Sequence, residues 1–147
     1  MTLYSAVQEL HSILRYVILF LVILAIVQSI QGWIGKSPYT PFNRKVNLFA
    51  LISAHTQLLI GIVLYCVSPL VQFNSGTMKN DTTRYFTVEH WVMMLIAIVL
   101  ITVGYSKSKK IILPEAKHKT VAIYYIIAFL VIIVAIMAGH LPLFGFR

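Results

Sequence analysis

Four long apolar runs, parted by short polar breaks, leave this 147-residue chain one class of fold. The runs lie at about 13–33, 47–69, 89–106 and 120–141. A helix needs about 20 apolar residues to cross a bilayer. Lipid offers no partner to an open backbone amide, so each run must be helical. The breaks read "GKSPYTPFNRK", where Pro38 and Pro41 act as stops, then "SPLVQFNSGTMKNDTTR" and "KSKKIILPEAKHK". The expectation is an all-α, integral membrane, antiparallel four-helix bundle, a single domain over residues 1–147.

Composition fits a lipid environment. Only 11% of residues are charged, against about a quarter in a soluble domain. Twelve bases face four acids. Such an excess would suit nucleic acid, but here the bases sit at the ends of apolar runs, so orientation in the bilayer explains them and no nucleic-acid partner is expected. Lys36, Arg44, Lys45, Lys107, Lys109, Lys110, Lys117 and Lys119 fall on one side. Arg15, Lys79, Arg84 and Arg147 fall on the other. The positive-inside rule makes the first group cytoplasmic. Both termini and the 69–86 loop are then expected to face outward, which in a bacterial inner membrane means the periplasm. Trp33, Trp91 and Tyr105 suit the interfaces. The N-terminus has no basic region and no small-residue cleavage site, and reads as uncleaved. Cys66 is the lone cysteine, and no C-x-x-C-H motif for covalent haem attachment occurs.

Five histidines remain to be placed. His118 falls in the lysine-rich link and reads as a solvated loop residue. On a helical wheel, His11 shares a stripe with Arg15, Ile18, Val22, Ala25 and Ser29. His90 shares one with Met93, Met94, Ala97, Ile101 and Gly104. Small and polar residues in membrane helices face other helices, so both histidines are expected to point into the bundle near its outer edge. His55 lies near mid-membrane, nearly opposite the Ser53, Gln57 and Gly61 face of its helix, and one of these faces suits a partner protein. His140, between Gly139 and Pro142, has no dependable wheel position.

Two neutral imidazoles at one height can ligate haem iron axially. Helices one and three are diagonal in an up-down-up-down bundle. With neighbouring axes 8–10 Å apart, diagonals are roughly 12–14 Å apart, room for two imidazoles and a porphyrin between them. Arg15, one turn deeper than His11, suits a propionate through its guanidinium fork. Two other readings stay open. The chain can be a non-catalytic accessory subunit of a larger respiratory or export complex. His11, Glu89, His90 and His140 can also form a copper or zinc site. Neither an H-E-x-x-H motif nor a nucleotide-binding glycine loop is present.

"LHSILRY", "AHTQLLIGIVLY" and above all "GTMKNDTTRYFTVEHWVMMLIAIVLITVGYSKSKK" resemble a family of small four-span membrane proteins of Bacteroidetes, often labelled cytochrome b-like. The resemblance covers nearly the whole chain and is strongest from Gln72 to Lys110. It implies haem b and single-electron transfer, with His11, His55 and His90 in its recurring motifs. His140, in "GHLPLFGFR", departs from them. The expectation is at most one haem per chain near the periplasmic face, held chiefly by His11 and His90, exchanging electrons with a quinol or a periplasmic carrier.

Overall fold

In the computed structural model, residues 2–69, 71, 73, 74, 76–80, 84 and 88–138 are described. Four helices carry the fold: α1 (Leu3–Ile34), α2 (Pro41–Val67), α3 (His90–Lys110) and α4 (Pro114–Ala138). All four are long and apolar enough to cross a membrane, and the chain is a multi-pass membrane protein. A short 3₁₀ turn, Thr77–Lys79, punctuates the long loop.

α1 and α2 begin earlier than their apolar runs, and their first turns are capped. Thr2 accepts a hydrogen bond from the Ser5 backbone N–H at 3.1 Å, and Ser5 Oγ accepts one from the Thr2 N–H at 3.0 Å. Such a reciprocal pair satisfies amides that no helical turn can reach. Thr40 and Asn43 do the same for α2 at 3.2 and 2.9 Å. Pro41 is therefore not a stop: it occupies the first turn of α2, where its missing N–H costs nothing. Pro114 likewise opens α4, so only Ile111–Leu113 separate α3 from α4.

Packing is a ring. α1 lies against α2 and α4, and α3 lies against α4, while α2 meets α3 more sparsely. α1 and α3 thus face each other across the diagonal, as the sequence implied. The core is built from Ile18, Val22 and Ala25 of α1, Ala50 and Ala54 of α2, Ala97 and Ile101 of α3, and Val121, Tyr125, Ala128 and Ile132 of α4. Alanine at these contacts lets helix backbones approach closely, the main source of cohesion where lipid is as apolar as the core. Phe20, Phe49, Leu59 and Leu130 stay exposed on the outside, where lipid covers them.

A polar knot ties the basic end together. Asn47 is fully buried. Its Nδ2 donates to Tyr39 Oη at 3.0 Å, its Oδ1 accepts from Gln28 Nε2 at 3.1 Å, and its backbone oxygen accepts from Tyr125 Oη at 2.8 Å. Gln28 also exchanges two bonds with Asn43, at 2.9 and 3.0 Å. Burial pushes the Tyr39 phenol above its ordinary range, which keeps its O–H in the network.

His118 belongs to this knot, which corrects its reading as a solvated loop residue. It lies on α4, is only 1% exposed, and bonds the Pro38 carbonyl through Nε2 at 3.1 Å. The Tyr39 ring meets it edge-on with centroids 5.2 Å apart. The imidazole fits because Gly32 of α1 lies opposite: a Cβ there would run into the ring. Ser108 is buried within α3, where its hydroxyl donates to the Tyr105 carbonyl at 2.7 Å.

Candidate functional site

At the other end of the bundle, α1 and α3 bring His11 and His90 together across the diagonal. Their ring centroids are 6.3 Å apart and their planes cross at 56°. Both side chains are partly buried. His90 sits in the first turn of α3, after a short π-helical turn at 88–89. His11 sits on α1 with the buried positions Ile18, Val22, Ala25 and Ser29 running down from it. α1 is 32 residues long, about 48 Å, so with its basic end at one interface its first turns emerge beyond a hydrocarbon core of about 30 Å. Counting 20 residues back from Ile34 reaches Leu14, and back from Lys110 reaches His90, so both histidines lie at the same membrane edge.

The separation has a chemical meaning. Two imidazoles this close would be within reach of one metal ion, since metal–imidazole bonds are about 2.0 Å long, so His11 and His90 are the residues that would hold such a group.

α2 completes the surroundings of His11. Gln57 Nε2 donates to the backbone carbonyl of His11 at 2.8 Å, fixing the register of α2 against α1 at this level. Gly61, one turn on, faces the His11 ring: a Cβ there would lie 3.5 Å from Nε2. The absent side chain leaves the histidine's edge open on the α2 side, where α2 and α3 pack sparsely. The sequence signal was the polar-small series Ser53, Gln57, Gly61, which turns to α1 rather than outward.

Arg15 lies one turn deeper on α1. Its guanidinium sits over the Tyr16 ring at 5.2 Å and donates to the Tyr16 hydroxyl at 3.4 Å.

The remaining site residues go elsewhere. Glu89 is engaged by Arg84, with Arg84 Nε 2.6 Å from its Oε1. Arg84 also donates to the Met78 carbonyl at 3.2 Å, so the pair ties the long loop to the start of α3. Among the described residues no three of His, Cys, Asp and Glu come together as a metal site. His140 lies outside the described residues. His55 is exposed on α2 and bonds Thr102 of α3 at 2.9 Å, away from the His11–His90 pair.

No protein-family model, curated protein or solved structure matches the chain.

Proposed function

We propose that the chain is a membrane-embedded single-electron carrier in which His11 and His90 would hold one haem b between α1 and α3. The observation that carries this reading is the 6.3 Å spacing of the two rings across the bundle diagonal. The donor set suits the group: two imidazoles in a partly dry setting, a glycine on the flank, and a guanidinium fork nearby. Bound there, haem b supplies a reversible one-electron couple.

The chain's own residues have separable tasks. Gln57 fixes the height of His11 through its backbone carbonyl. The capped first turn of α1 and the Arg84–Glu89 pair hold the two histidine-bearing helix ends in place. Arg15 offers a fixed positive charge and planar donors to a carboxylate. The apolar core below, from Ile18 to Ile132, keeps water from the site.

The test is a reduced-minus-oxidised visible spectrum of the protein purified with its lipids. A b-type α-band is expected. Its absence, with larger subunits co-purifying, would favour the second reading, an accessory subunit of a membrane complex.

The side of the membrane follows from charge. The eight bases at the Gly32–His118 end support a cytoplasmic position for that end, with His11, His90 and the N-terminus on the periplasmic side of a bacterial inner membrane. In a Cys66→Ser background, Met78→Cys is expected to react with an impermeant thiol reagent in whole cells, and Lys110→Cys is expected not to. Both native residues are exposed. The reverse pattern would put the histidine pair on the cytoplasmic side.

A further inference from the structure

His55 poses a physical problem that its bond to Thr102 only half solves. It stands fourteen residues after Pro41 and twelve before Val67 on α2, about 20 Å from either end, and so near mid-membrane. It is exposed on the seam where α2 meets α3 sparsely. A polar atom turned toward hydrocarbon is costly unless something satisfies it.

The hydrogen-bond polarity says what that something must be. Thr102 Oγ1 donates to the Ile98 carbonyl at 2.7 Å, which uses its only proton. Towards His55 Nε2, at 2.9 Å, Thr102 therefore accepts. That places the ring N–H on Nε2. A neutral imidazole carries one N–H, so Nδ1 is a bare acceptor. No other bond to His55 exists among the described residues. The occupant must bring a donor.

The setting narrows it further. Mid-membrane depth excludes lipid headgroups and water-soluble ligands. Ile52, Leu59 and Ile62 of α2 and Leu95 and Val99 of α3 are exposed large apolar side chains on these two helices. This bulky surface lacks the small-residue pattern with which membrane helices pair closely, so a second copy is a poor fit. A lipid-soluble molecule with an apolar ring and an aromatic hydroxyl fits all three demands.

We propose that His55, oriented by Thr102, is a lipid-accessible binding site for a membrane hydroquinone, recognised through its O–H on His55 Nδ1. The oxidised quinone carries acceptors only, so the site discriminates in favour of the reduced form. As the donor site of the electron carrier it rests on the preceding reading; as a binding site it stands on the His55–Thr102 geometry alone.

Redox-inert probes test it. 4-Decylphenol and its methyl ether have nearly the same shape, and only the phenol donates. With the full chain in lipid nanodiscs, the phenol is expected to bind about tenfold tighter than the ether, one hydrogen bond's worth, and decylubiquinol is expected to displace it. His55→Phe should erase the preference. Thr102→Val, which frees the ring proton to sit on either nitrogen, should narrow it. Equal affinities for the two probes in the unaltered chain would overturn the proposal, as would a preference that survives His55→Phe or phenol binding that decylubiquinol does not displace. The haem spectrum is read on the same samples. A haem-free chain that still prefers the phenol sinks the electron-carrier reading and supports this one, whereas a haem-loaded chain without the preference sinks only this one.

Discussion

His11→Ala and His90→Ala are each expected to abolish low-spin haem binding. The two residues lie on diagonal helices with no third histidine among the described residues near them, so neither loss can be made good by a neighbour. Removing one imidazole leaves a five-coordinate iron at best, and the spectrum should lose its sharp low-spin α-band rather than weaken in proportion. His118→Ala is the control. His118 packs on Gly32, twenty-one residues along α1 from His11 and so about 31 Å away; its loss should leave the spectrum unchanged while lowering stability. Gly61→Leu should behave like a ligand loss although it removes no ligand, because a branched side chain would fill the space beside His11 Nε2. Spectra of the four variants, normalised to protein, check all of this.

Gly32→Ala is expected to be the most damaging single-methyl change at the basic end. The added carbon would meet three atoms of the His118 ring. The ring has nowhere cheap to go: it is buried, held to the Pro38 carbonyl and flanked by Tyr39. Overpacking of this kind costs about 1–3 kcal/mol, and displacing the ring also breaks the bond that pins the linker between α1 and α2. A thermal unfolding midpoint several degrees lower in detergent is the expected readout. The double variant with His118→Ala should be more stable than Gly32→Ala alone, because the smaller side chain removes the clash. Strictly additive losses would show that the two residues do not meet.

These two ends differ in how far the sequence revealed them. The bundle itself was legible because lipid leaves an apolar run of that length only one conformation. The inward stripes below His11 and His90 were legible because small residues mark helix contacts in membranes: Ala25, Ser29, Ala97 and Gly104 are all buried. Helix starts were not, since Pro41 looks like a stop until the Thr40–Asn43 cap around it is seen. His118 was misread for the same reason. A lysine-rich string resembles a solvated link, yet Pro114 begins a helix whose lysines reach outward over Trp33 and Tyr39 while the histidine turns in against Gly32. The Asn47 knot joins residues between 8 and 78 positions apart, a separation that no local pattern encodes. Gly61 had a visible signal, its place in series with Gln57, but the identity of the helix it faces came only from packing.

The haem content and spin state of the purified chain test the proposed site most directly. Pyridine haemochrome assay and electron paramagnetic resonance on the same oxidised sample give both. One haem b per chain, six-coordinate and low-spin with two nitrogen axial ligands, is the predicted result. A chain without haem, or one whose haem is high-spin and indifferent to loss of His11 or His90, would contradict it.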